Sequence, residues 1–172
     1  MSWWTIALYD TCSLITLDKL LQERRTLARY FPKKIFALEE SFSIEQMRED
    51  TADRLKDRVE IGQLPPAKEL AVLLSPSGLS KALSDVDKLV FATAVHLRIG
   101  VVTGDKRLAK AVQQQGLHVG NMALILKELV ETKKLTSTTI TKLLQSLADR
   151  KDFLLGIPNP TWDDLKDYTF PD

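Results

Sequence analysis

The sequence predicts an α/β protein built around a short parallel sheet, and three observations lead there. Leu83 to Val112 runs as a helix, a brief apolar strand and a second helix, which is half of a parallel α/β unit. Trp3 to Tyr9 (WWTIALY) is aromatic and β-favouring with too few polar residues for a half-exposed strand, so it reads as a central strand buried on both faces. Both apolar stretches end in an acid, Asp10 and Asp105, and open α/β sheets bind ligands outside the carboxyl ends of their strands.

The remaining elements follow in order. Thr11 or Ser13 is placed to cap a helix carrying Leu14, Leu17, Leu20, Leu21 and Leu27, which Pro32 stops. Ile35 to Leu38 is a second short strand. Ser43 to Ile61 reads as one charged helix, broken by Pro65-Pro66, after which a short helix runs through Leu74. Ser75 to Ser80 (SPSGLS) is loop-like. Ser84 opens the helix that leads into the strand Ile99 to Val102, and Lys106 to Gln115 resumes helical spacing through Leu108, Ala109 and Val112. Gly116 ends it, and Leu117 to Val119 is a possible further strand. Met122 to Val130 is apolar at helical spacing, and a last helix starts at Leu135 with Ile140, Leu143, Leu144 and Leu147 inward. Residues 1–150 form one domain on this reading, and 151–172 a surface extension.

Composition limits the function classes. The 172 residues carry 24 Lys and Arg against 23 Asp and Glu, so a nucleic-acid site has to come from local clustering rather than global charge. A single cysteine, Cys12, excludes an internal disulfide framework and fits a reducing compartment. The first ten residues lack the charged start of a signal peptide, and no apolar run approaches the ~20 residues that span a bilayer. The expected location is cytoplasmic, with no membrane partner.

The acids carry the chemistry. If the strands ending at Asp10 and Asp105 are parallel neighbours, the two carboxylates share one sheet edge. Glu45 lies just beyond the second strand, and Asp87 lies on the first turn of the helix feeding the Asp105 strand. Two carboxylates about 5 Å apart repel by roughly 3 kcal/mol at an effective dielectric of 20. A hard divalent cation such as Mg²⁺ or Mn²⁺ removes that cost, and such ions serve phosphodiester hydrolysis. Each acid also has a plain structural role open to it: Asp87 with Ser84 fits a capping box, and Asp10 and Asp105 fit helix N-caps.

The segments LYDTCSLI, FSIEQM, LSDVDKLVFATA and VVTGDKRL, in this order, resemble the PIN-domain nucleases over about Trp4 to Val119. The stretch from Gly116 to Leu147 is similar to the carboxy-terminal helices of a bacterial PIN branch related to VapC-type toxins. The resemblance implies a three-layer sandwich with a short central parallel sheet and extra C-terminal helices, interrupted by an insertion at about 49–80. It implies Asp10, Glu45, Asp87 and Asp105 as an acidic quartet, with Glu40 the rival for the second position. The same resemblance implies that the Thr103 hydroxyl orients Asp105 or a metal-bound water. The implied activity is metal-dependent endoribonuclease, with Asp10, Asp87 and Asp105 holding Mg²⁺ or Mn²⁺. Lys106, Arg107 and Arg48 are the implied RNA contacts, joined by Arg24, Arg25 and Arg29 as further candidates. A toxin role implies a small antitoxin partner and a homodimer.

Other residues have simpler readings. His96 and His118 lack metal-ligand spacing, and His96 reads as a packed histidine. Cys12 reads as a small apolar residue, Trp3 and Trp4 as core or a subunit contact, and Met122 as core. Two other classes compete. A haloacid-dehalogenase-like phosphatase needs an acid two residues after its first Asp, where Cys12 stands. A non-catalytic PIN-like module binds RNA or protein without cutting.

Overall fold

Five strands, β1 (Ala7–Tyr9), β2 (Ile35–Ala37), β3 (Val59–Ile61), β4 (Gly100–Val102) and β5 (Val119–Gly120), make one all-parallel sheet in the order β3-β2-β1-β4-β5. The computed structural model describes residues 1–43, 46–75, 79, 81 and 83–171. The strands are short, but each side of the pleat meets a different core because side chains alternate along a strand. Ala7, Tyr9, Ile35, Ala37 and Val102 point into one cluster, while Leu8 and Val101 point into the other.

Helices cover both faces. The first cluster is filled by α1 (Thr11–Glu23) through Leu14, Leu17 and Leu20. It is completed by α6 (Met122–Glu131) through Ile125, Leu126 and Leu129, and by α7 (Ser137–Asp149) through Ile140, Leu143 and Leu144. The second is filled by α4 (Asp85–Leu97) through Val90, Phe91 and Ala94 and by α5 (Lys106–Gln114) through Leu108, Ala109 and Val112. Each fully buried Leu contributes about 1.5–3 kcal/mol. The result is the three-layer α/β sandwich that the sequence predicts.

Local boundaries differ from expectation in four places. Trp3–Ile6 is a 3-10 turn rather than strand: Thr5 folds back to bond the Ser2 carbonyl, and the Trp4 indole N–H donates to the Tyr30 carbonyl. The Trp3 ring then lies over β5, where a Cβ added at Gly120 would stand 2.5 Å from it. The first helix ends at Glu23, with a 3-10 segment Arg25–Tyr30 carrying Leu27 into the core before Pro32. The charged stretch is not one helix. It holds α2 (Glu49–Leu55) and then β3, an edge strand with only Val59 buried, which leaves almost no period-2 signal. After it comes α3 (Ala67–Leu74), beginning after Pro65-Pro66 as expected. Of the expected loop, 76–78 and 80 lie outside the described residues.

The tail from Lys151 is the fourth difference. It contains α8 (Trp162–Lys166), opened by a capping box between Thr161 and Asp164, and Leu165 is fully buried against the first core. Asn121 Nδ2 donates to the Tyr168 hydroxyl at 2.8 Å and Lys127 Nζ to the Tyr168 carbonyl. Among the described residues no helix is long and apolar enough to cross a membrane. A packed tail makes a stability prediction: Leu165→Ala removes a core side chain and should cost about 2–5 kcal/mol in urea unfolding. A change within about 0.5 kcal/mol, the range of ordinary surface substitutions, would mean that the tail is merely draped on the surface.

Candidate active site

The strand order fixes where a site can form. The chain leaves β1 for β2 on one side, and later elements return to pair β4 on its other side, so the switch point lies between β1 and β4. The register pairs Tyr9 with Val102, which sets Asp10 beside Thr103, and the Asp10 N–H donates to the Val102 carbonyl at 3.1 Å. Ser13 reinforces this junction by donating its hydroxyl to the same carbonyl at 3.0 Å.

Each expected acid present here begins a helix. Asp10 caps α1, its Oδ1 accepting the Ser13 N–H at 2.8 Å; the cap is therefore Asp10, and neither Thr11 nor Ser13. Asp105 caps α5, its Oδ1 accepting from the Arg107 and Leu108 amides at 2.7 and 3.0 Å. Ser84 caps α4 by accepting the Asp87 N–H, and its hydroxyl donates to Asp87 Oδ2 at 2.7 Å. The structural roles are real, and they coexist with convergence. Asp10, Asp87 and Asp105 line one small cleft of about 190 Å³ with Cys12, Gln46 and Ser84. Capping uses one oxygen of each carboxylate at α4 and α5, leaving Asp87 Oδ1 and Asp105 Oδ2 with no hydrogen bond among the described residues. Three positive helix ends soften the repulsion without cancelling it.

Thr103 joins two of the acids. Its hydroxyl donates to Asp10 Oδ2 and accepts the Asp105 N–H at 3.0 Å. Thr103 is fully buried and Asp10 only 4% exposed. Burial pushes the Asp10 carboxyl above the usual range, the Thr103 and Ser13 hydrogen bonds pull it back, and the Asp87 charge raises it again. None of the three carboxylates is paired with Lys, Arg or His among the described residues. The three carboxylates offer oxygen donors alone, the kind a hard divalent cation takes, and none is ion-paired among the described residues. The three side chains line the cleft without closing on one another: among the described residues no three His, Cys, Asp or Glu side chains stand as a group that could hold a metal ion.

Other candidates are distributed differently. Glu45 lies outside the described residues. Glu40 opens a 3-10 turn tied to α1 through the bond from the Thr11 hydroxyl to the Ser41 carbonyl, and it is not among the described residues lining the cleft. Lys106 and Arg107 follow Asp105 on the first turn of α5, both exposed. Arg48 bonds Asp50 at 3.3 Å and borders, with Lys19, Arg54 and Arg150, a neighbouring cavity that shares Ile15 and Gln46 with the acid cleft. Arg24 and Arg25 stand one helix length, roughly 20 Å, from Asp10, and Arg29 lies over the Tyr30 ring, so this trio is not drawn to the acids.

Three simpler readings need correction or detail. Cys12 is exposed rather than packed, standing at the cleft mouth; its thiol is pushed up to about 11 by partial burial and then by the carboxylates around it, Asp10 first. His96 sits on an exposed face bonded to Glu69 at 2.7 Å, not in the core. Trp4 and Met122 are core as expected, and Trp3 stacks on His118 with ring centroids 4.7 Å apart. Sequence reasoning missed Asp152, which bonds Thr16 and Lys19 and adds its charge near Cys12. No local pattern marks it, because only the fold brings it near Cys12 from the far end of the chain.

The electrostatics give opposite expectations for two variants. With its folded-state pKa above the ordinary 3.8, Asp10 binds its proton more tightly in the native chain than in the unfolded one. Its favourable contribution is complete below about pH 3.8 and is lost as pH rises through the folded value. Asp10→Asn should therefore raise Tm in EDTA at pH 7 by a few degrees, at about 2–4 °C per kcal/mol for a chain this size, with the gap narrowing towards pH 4. Thr103→Val should lower stability by about 1–3 kcal/mol, since it strips the donor from a buried carboxylate. Thermal scans check both, and an Asp10→Asn Tm at or below wild type at pH 7 contradicts the electrostatic account.

No family model, curated protein or solved structure matches this chain.

Proposed function

We propose that the chain is a metal-dependent ribonuclease that hydrolyses RNA phosphodiesters at the cleft between β1 and β4. The observation that carries this reading is that three carboxylates, without cationic partners among the described residues, line one cleft at the switch point. The order of the acid-bearing segments, similar to that of PIN-domain nucleases, supplies the substrate class.

Asp10, Asp87 and Asp105 would hold Mg²⁺ or Mn²⁺. The ion, when bound, supplies Lewis-acid polarisation of the phosphate and eases ionisation of water near neutral pH. The chain's own residues do the rest. Thr103 fixes the Asp10 carboxylate and the Asp105 backbone through one hydroxyl, so the two acids keep a set separation. Helix amides hold Oδ1 of Asp10 and Asp105 and the Ser84 hydroxyl holds Asp87 Oδ2, which leaves Asp105 Oδ2 and Asp87 Oδ1 for a ligand. Lys106 and Arg107 meet phosphate oxygens of the strand, giving register rather than sequence choice. Glu45 would complete the ligand shell or accept the water's proton. In the reaction a water oxygen bonds to phosphorus while the bond to the leaving ribose oxygen breaks, and the leaving oxygen takes up a proton.

The test is cleavage of single-stranded RNA with Mn²⁺ or Mg²⁺. Asp10→Asn, Asp87→Asn and Asp105→Asn should each lose about 10²- to 10⁴-fold, and EDTA should abolish cutting. RNA or protein affinity with no cutting under any metal would make this a binding module, and phosphate release from small monoesters would make it a phosphatase. For the toxin reading, expression of the chain alone should arrest growth while the Asp105→Asn form is tolerated. Equal tolerance removes the toxin role, with its antitoxin partner, and leaves a processing nuclease.

A further inference from the structure

A larger trough of about 730 Å³ adjoins the acid cleft and shares Cys12 and Asp105 with it. That volume lies within the roughly 300–1,000 Å³ of small-molecule sites, whereas the acid cleft lies below it. The trough's far wall is the C-terminal tail: Phe153, Tyr168 and Phe170 supply aromatic surface, and Phe153 is 45% exposed. The wall is built rather than draped. Tyr168 is held by Asn121 and Lys127, and Phe170 packs on the second core. Asp152 is fixed by Thr16 at 2.8 Å and Lys19 at 3.1 Å, both through Oδ2, so Oδ1 takes no hydrogen bond among the described residues.

We infer that this trough is a nucleobase subsite, taking a base of the single-stranded RNA one nucleotide from the scissile phosphate. This rests on the ribonuclease reading. Three features select a base over other ligands. Asp105 and Lys106 both border the trough and its Asp152 is paired with Lys19, so the lining has no surplus of positive charge to draw a phosphate, which favours a neutral ring. Aromatic rings give any base a stacking surface. The open Asp152 oxygen accepts only, so it suits a base edge that donates, as an exocyclic amine does. A base seated here leaves its phosphate at the shared Asp105 wall, beside the carboxylates. Phe153 is a specificity residue on this view, and the tail decides which nucleotide flanks the cut.

The experiment uses a single-stranded RNA oligonucleotide containing one 2-aminopurine, whose fluorescence is quenched by stacking. It is titrated with the full chain carrying Asp87→Asn, so that binding is read without turnover. Quenching should be clear in that background, should survive Phe153→Trp, and should fall with an affinity loss of about five-fold or more in Phe153→Ala. In parallel, otherwise wild-type Phe153→Ala and Asp152→Asn should cut with raised KM and a changed site preference at nearly unchanged kcat. Quenching and cleavage pattern untouched by Phe153→Ala and by Phe170→Ala would overturn the subsite while leaving the nuclease. Quenching lost in Phe153→Ala, with no metal-dependent cutting by the wild type, would keep the base site and overturn the nuclease reading instead.

Discussion

The parallel pairing of β1 with β4 is the constraint on which the rest of the molecule depends. It brings Asp10 and Thr103, 93 residues apart, into hydrogen-bonding contact at the ends of adjacent strands. Once that register is set, α1 and α5 must start side by side at the same sheet edge, each with an aspartate at its cap. The start of α4 joins them because α4 packs on the same core as α5 and β4. Three helix N-termini thus converge, and the two capping aspartates, with Asp87 on the first turn of α4, bring more negative charge than the helix ends balance. A one-residue slip of β4 would carry Val101 and Val102 to the wrong cores and separate the acids at the same time. Fold specificity and site geometry are therefore secured by the same strand contacts.

The site has a cost that the core has to offset. Asp10 is nearly inaccessible to water, lies near another carboxylate and has no cationic partner among the described residues. Two hydrogen bonds, from Ser13 and Thr103, make its burial tolerable. An apolar side chain there would escape the desolvation cost but leave the Ser13 N–H and the Thr103 hydroxyl without their acceptor. The tail extends the same edge: α8 anchors through Leu165, and the residues on either side of it wall the trough beside Asp105.

Much of this was legible in the sequence, and the reasons are local. Asp10, Thr103, Asp105 and the Ser84–Asp87 helix start each sit at a junction where apolar periodicity changes, so they mark themselves. The α4–β4–α5 unit was readable for the same reason, with Leu108, Ala109 and Val112 on one helical face. What was not legible depends on distant packing. β3 carries a single buried side chain and hides inside a charged run. Trp3 to Ile6 has strand-like composition, yet turn bonds and the approach of Trp3 to Gly120 decide its conformation. Cys12 has the composition of a core residue, but its place on the first turn of α1 turns it to the cleft mouth. Asp152 sits in a segment with no periodicity, and only the fold brings it beside Thr16 and Lys19.

The central claim is that the three carboxylates on this cleft share a cation, and anomalous diffraction from crystals soaked in Mn²⁺ tests it most directly. The predicted result is a manganese peak in the cleft with oxygens of Asp10, Asp87 and Asp105 around it. A cleft free of manganese, with the ion bound elsewhere or the three carboxylates too far apart to meet one site, would contradict it.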